Sequence, residues 1–119
     1  MEPTPVEIRL RKQSRLLSVV YDDDEQFDLS FEYLRVHSPS AQVQGHGPGQ
    51  EILQKGKEDV LITAVEPIGH YAVRLIFDDG HDSGLYTWKH LYELGRDHAT
   101  RWQTYLDRLE AAGLSRKSH

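Results

Sequence analysis

One stretch constrains this chain more than any other. Residues 71–94, YAVRLIFDDGHDSGLYTWKHLYEL, open on a run of apolar, β-branched and aromatic side chains between Tyr71 and Phe77. Such a run reads as a mostly buried strand. Asp79-Gly80 follows. This pair is a strong hairpin signal, because a two-residue turn of the favoured hand needs positive φ at both central positions. The chain then returns through residues 81–86 and enters a helix with Trp88, Leu91 and Tyr92 on one face. Strand, turn, strand and helix make a nucleus that specifies architecture and no reaction.

The rest of the chain supplies elements to pack around that nucleus. Val6, Ile8 and Leu10 alternate with polar neighbours, and Leu17, Val19 and Tyr21 resume the alternation after a polar break. This is the period-2 pattern of two half-buried strands, here an antiparallel pair. Phe27 and Leu29 give a short third apolar pair. Ser30 stands where an N-cap belongs, with Leu29 and Leu34 placed as a hydrophobic staple. The helix over residues 31–36 must be short, because Ser38-Pro39 pushes the preceding backbone out of the helical region. Residues 59–65, DVLITAV, read as a strand closed by the turn Glu66-Pro67-Ile68-Gly69. Asp97 is placed to cap a last helix, on which Ala99, Trp102, Leu106 and Leu109 keep helical spacing. Gly113 is placed to end that helix in a left-handed cap.

Residues 38–56, SPSAQVQGHGPGQEILQKG, have neither period. They predict an irregular loop, with Ile52 and Leu53 pinning it to the core. A loop of this length inside a small domain is usually functional or mobile. It lacks both the G-x-x-x-x-G-K-[ST] phosphate loop and the strand–G-x-G-x-x-G–helix context of dinucleotide sites. The fold class is therefore α+β: a small, mainly antiparallel sheet with a short early helix and two C-terminal helices. One domain over residues 1–119 is expected, with 1–5 and 115–119 as loose termini.

The chain has no cysteine, which excludes disulfides, thiolate zinc and a thiolate-held iron–sulfur cluster within it. Nineteen acidic residues against 14 basic ones give a net charge of −5, the wrong sign for a general nucleic-acid binder. The basic group Arg9, Arg11, Lys12 and Arg15 reads as a solvated hairpin tip. No run approaches a spanning helix and no signal sequence opens the chain, so a cytoplasmic protein without a membrane partner is expected.

Chemistry is harder to find. The acidic run Asp22-Asp23-Asp24-Glu25 lacks the spacing of a calcium loop and reads as a solvated turn. The histidines form no H-E-x-x-H or facial-triad motif. A metal site would have to be assembled in space from His46, His81 and carboxylates such as Asp79 or Asp82. No serine sits in a G-x-S-x-G elbow. Asp78, Asp79 and Asp82 flank the turn, where carboxylates are normally solvated. Trp88 with Tyr92, and Trp102 with Tyr105, are at helical spacing and read as core before they read as a ligand platform.

Two stretches, LRVHSPSAQVQGHGPGQ (34–50) and FDDGHDSGLYTWKHLYEL (77–94), resemble the gamma-butyrobetaine hydroxylase-like N-terminal domain family. The likeness runs over roughly residues 8–106. The family's domain occurs alone in small bacterial proteins, which this chain looks like. It also precedes the catalytic jelly roll of carnitine-pathway 2-oxoglutarate oxygenases and is appended to P-loop iron–sulfur carriers. In the oxygenases it binds a structural zinc through C-x-C-x-x-C and a histidine after the hairpin turn. Here Ser38, Ser40 and Val43 stand at the cysteine positions and only His81 matches. The resemblance therefore implies a domain without the family's zinc, and without the hydroxylase activity, which resides in a separate catalytic domain.

What the resemblance implies is a non-catalytic accessory or protein-binding module linked to iron–sulfur cluster assembly or to an oxygenase partner. Its expected contact surface is the loop Gly45-His46-Gly47-Pro48-Gly49 with the tip Asp79-Gly80-His81-Asp82, and Trp88 nearby. The alternative is a metal-binding protein that uses His46, His81 and Asp82.

Overall fold

The computed structural model describes residues 3–45 and 52–116. Alternation sets up the first half. β1 (Pro5–Arg11), β2 (Leu16–Tyr21) and β3 (Gln26–Ser30) form an antiparallel sheet in the order β1-β2-β3. Leu17, Val19 and Tyr21 of the central strand are buried. Arg9, Arg11, Lys12 and Arg15 are exposed at the β1–β2 turn.

Ser30 then converts strand into helix. Its hydroxyl accepts the Tyr33 N–H at 3.1 Å, and α1 (Phe31–Val36) runs with all six residues buried. Ser40 repeats the device for α2 (Ala41–Gln44), accepting the Gln42 N–H at 3.2 Å. The expectation of an irregular loop over 38–56 is corrected here. Four residues are too few for helical periodicity to register, and the cap is the local signal for α2.

A second antiparallel sheet follows, of β4 (Ile62–Ile68), β5 (Ala72–Phe77) and β6 (Leu85–Thr87), in the order β4-β5-β6. The antiparallel strands are thus shared between two three-stranded sheets. The 59–65 strand starts later and runs through Pro67. Thr87 caps α3 (Trp88–Arg96), accepting the His90 N–H at 3.0 Å. Asp97 does not cap α4 (His98–Ala111) with its side chain; the carboxylate instead accepts two hydrogen bonds from Arg96, at 3.1 and 3.2 Å. Gly113, at φ 74°, ends α4 as expected. Gly113 N–H donates to Glu110 O at 3.0 Å and Leu114 N–H to Leu109 O at 2.8 Å, the paired bonds of a Schellman motif.

The β5–β6 turn differs from a two-residue loop. Only Gly80 has positive φ, at 89°. Gly80 N–H donates to Phe77 O at 3.3 Å and Phe77 N–H to His81 O at 3.0 Å. This is a three-residue loop with glycine in the left-handed position. The two sheets, α1 and α3 share one core, in which Leu17, Phe31, Leu34, Leu75, Tyr86 and Leu91 are each no more than 1% exposed. A smaller cluster of Val36, Tyr105 and Leu109 seats α4.

Candidate functional site

The loop after α1 and the returning limb of the β5–β6 hairpin meet in a polar knot. Ser38 Oγ lies 2.8 Å from His81 Nε2, and His81 Nδ1 lies 3.1 Å from Gln42 Oε1. Because the amide oxygen can only accept, Nδ1 carries the proton. In the neutral ring Nε2 then accepts, and the Ser38 hydroxyl donates. Ser38 Oγ also accepts the Ser40 N–H at 3.2 Å. Ser40 Oγ and Ser83 Oγ are 2.7 Å apart. Gln44 Nε2 donates to Ser38 O at 2.8 Å. Gly84 permits this approach: a Cβ there would stand 2.5 Å from Ser38 Oγ.

The hairpin tip is tied down by charge. Asp79 accepts from Arg35 Nε at 2.9 Å, Lys57 Nζ at 2.8 Å and His81 N–H at 3.1 Å. Burial pushes its carboxyl up, but Lys57, the His81 N–H and Arg35 together outweigh that and hold it at about 2. His81 is shifted down, first by burial and then by the Arg35 charge. That shift favours the neutral imidazole, in which Nε2 accepts from Ser38.

Ser38, His81 and Gln42 have the donor order of a nucleophile, its base and an orienting group. Access decides against that chemistry, since Ser38 is 0% exposed and His81 4%. No substrate carbonyl can reach a hydroxyl so enclosed.

The same four positions test the zinc that the resemblance raises. Val43 offers no donor, and Ser38 and Ser40 offer neutral hydroxyls in place of thiolates. Two ligands of one tetrahedral zinc, with bonds of roughly 2.0–2.2 Å, stand about 3.3 Å or more apart. Ser38 Oγ and His81 Nε2 stand at 2.8 Å, a hydrogen-bond separation. The residues at these positions do not fit the ion.

Of the expected contact residues, Asp79 and His81 share this site. Asp82 is exposed next to it. Trp88 stands at the other end of β6, where its indole N–H donates to His70 O at 3.0 Å and its carbonyl accepts the Tyr21 hydroxyl at 2.7 Å. His46, Gly47, Pro48 and Gly49 lie outside the described residues. Among the described residues, no group of three His, Asp or Glu is placed to hold a metal ion. No helix among them is long and apolar enough to cross a membrane. Sequence reasoning missed Gln42, Arg35 and Lys57; only the S-P-S-x-Q spacing, which puts a cap before Gln42, could have drawn attention to the first.

A family model described as gamma-butyrobetaine hydroxylase-like, N-terminal, matches residues 8–92. Two proteins solved in solution by NMR superpose with TM-scores of 0.84 and 0.82, at 50% and 46% identity. The matches cover 98% and 99% of this chain and 92% and 94% of theirs. A crystal structure from Acidithiobacillus ferrooxidans, described as a protein of unknown function in the DUF971 family, has a TM-score of 0.65 at 42% identity. That match covers 77% of this chain and 92% of the other. No curated protein matches.

Proposed function

The chain belongs to the gamma-butyrobetaine hydroxylase-like N-terminal family, and from that premise we propose a non-catalytic accessory module that docks onto a protein partner. One observation carries the reading: the nucleophile–base pair of the knot, Ser38 and His81, is sealed, so it braces a surface and attacks nothing. The surface it braces is the tip. Asp78, Asp79, Gly80 and Asp82 are exposed there, and Arg35, Lys57 and the His81 N–H anchor the Asp79 carboxylate. A preorganised tip loses little entropy on binding. Loops held by a rigid scaffold are where binding commonly resides. The family's domain contexts favour an iron–sulfur assembly protein or an oxygenase as the partner, and the module works without zinc at positions 38, 40, 43 and 81.

Affinity capture from the source organism, followed by reconstitution of the recovered protein with purified chain, tests this. The partner should bind the wild type. Asp82→Lys should weaken binding about tenfold, or 1.4 kcal/mol, and Glu7→Lys on the distant β1 should leave it unchanged. Equal binding by all three would remove the tip from the interface, and no binding by the wild type would end the module reading. A rise in Tm when zinc is added to tag-free protein would end the zinc-free reading.

A further inference from the structure

A second feature lies beyond α4 and shares no residue with the knot or the hairpin tip. Gly113 turns the chain out of the helix, and Leu114 rests on the cluster of Val36, Tyr105 and Leu109. Two residues on, Arg116 reaches back to α1. Its Nε and Nη2 donate to the two carboxylate oxygens of Glu32, at 2.9 and 2.6 Å. This is the fork-on-fork pairing of guanidinium and carboxylate. The guanidinium carbon also stands over the Trp102 ring, 5.3 Å from its centroid. That is within the roughly 6 Å at which a cation gains from an indole face. Glu58 adds a second negative charge that Arg116 feels.

The two sides of this contact are unequal. Glu32 is 7% exposed and belongs to a helix whose six residues are all buried. Trp102 sits within α4, its ring 5.3 and 6.3 Å from those of Tyr105 and Tyr33 between centroids. Carboxylate and indole are therefore placed by the packed body of the fold. Arg116 comes from a segment outside every helix and strand, and its side chain is 36% exposed. A buried carboxylate stripped of its counter-charge is costly, so the place Arg116 holds calls for another cation whenever the tail leaves. The two-oxygen geometry and the aromatic face select a planar guanidinium over an ammonium. We infer that Glu32 and Trp102 form a receptor for an arginine side chain, which Arg116 fills in the free chain and which an arginine presented by a partner protein takes by displacing the tail.

Acetyl-arginine amide, titrated into full-length R116A and followed by NMR at the Trp102 indole N–H, tests the inference. The vacated receptor should give saturable shifts in the millimolar range. Acetyl-citrulline amide has the same shape without the charge, and acetyl-lysine amide has the charge without the fork; each should bind at least about tenfold more weakly. The wild type should also bind acetyl-arginine amide at least about tenfold more weakly than R116A, because a tethered Arg116 competes at a millimolar effective concentration or above. R116Q, which keeps a long side chain at the position, should behave as R116A does. Adding E32Q to R116A should abolish the shifts. The citrulline comparison reads the same charge without touching α1, so it decides the matter even where E32Q disturbs the fold. No saturable shift in R116A or R116Q up to tens of millimolar would overturn the inference. So would equal binding of the citrulline or lysine amide, equal binding by the wild type, or undiminished binding by R116A with E32Q.

Discussion

At the residue scale, His37 and Asp79 titrate in opposite surroundings and protect the fold over different pH ranges. Burial pulls His37 from 6.5 to about 4, with the charges of Arg101 and His90 adding to it and the hydrogen bond to Tyr33 O opposing it. Between pH 6.5 and 4 the unfolded chain takes up a proton that the folded one refuses, so stability falls as acid is added through that window. Asp79, held at about 2 against an ordinary 3.8, contributes stability that is lost only as pH falls through that lower range. For a carboxylate whose side chain is 21% exposed, that contribution is on the order of 1 kcal/mol after solvent screening. His37→Gln keeps an N–H for Tyr33 O and removes the titration. Urea unfolding at pH 7 and pH 4.5 should find the wild type losing about 2 kcal/mol more than the variant. His81 and His90, also shifted down by burial, titrate in both proteins, so only the difference is diagnostic. Equal losses would mean that His37 is not the group held neutral.

At the element scale, Gly95 in the last turn of α3 breaks the propensity rule for a reason found in β3. A Cβ at Gly95 would meet the Phe27 ring at 2.2 to 2.6 Å. Helix propensity favours alanine over glycine by about 1 kcal/mol, while forcing a methyl into a packed core costs about 1–3 kcal/mol. A ring wedged between Tyr21 and Tyr92, at 6.0 and 5.3 Å between centroids, has little room to yield, so the clash wins. Gly95→Ala should destabilise by about 2 kcal/mol, and in a Phe27→Ala background the same change should become neutral or stabilising. A stabilised single variant would mean that the ring moves aside. Neither the glycine nor the phenylalanine announces the other in sequence, because 68 positions separate them. The elements that were legible are those with both signals local: α1 lies between the Ser30 cap and Ser38-Pro39, and Gly113 stops α4. Those misread were decided by which side chain claims a group, near or far in sequence. Asp79-Gly80 reads as a two-residue turn until Arg35 and Lys57 claim the aspartate. Asp97 reads as a cap until Arg96 takes its carboxylate. Residues 38–56 read as an irregular loop because α2 is only four residues long and Ser38 meets His81 across 43 positions.

At the scale of the whole molecule, what joins two sheets that share no strand is a set of tyrosines whose rings fill the core and whose hydroxyls reach the far half of the chain. Tyr21 of β2 donates to Trp88 O at 2.7 Å, Tyr33 of α1 to Leu94 O at 2.6 Å, and Tyr86 of β6 to Leu34 O at 2.6 Å. Burial pushes all three phenols up, Tyr33 to about 12. Arg116 closes the circuit from the other end: its Nε lies 2.9 Å from the buried carboxylate of Glu32 in α1. Each tie runs between the half that holds the first sheet and the half that holds the second. Neither sheet can shed its partner without exposing a share of the common core. Unfolding should therefore be a single transition, with far-UV circular dichroism and the fluorescence of Trp88 and Trp102 coinciding across a urea titration. Tyr33→Phe and Tyr86→Phe remove a hydroxyl and leave a buried carbonyl unpaired, so each should cost about 1–3 kcal/mol and shift the midpoint without splitting the curve. Resolved transitions in the wild type would mean that the two sheets are separate cooperative units. A split only in Tyr86→Phe would instead place the cooperative link in that one hydroxyl.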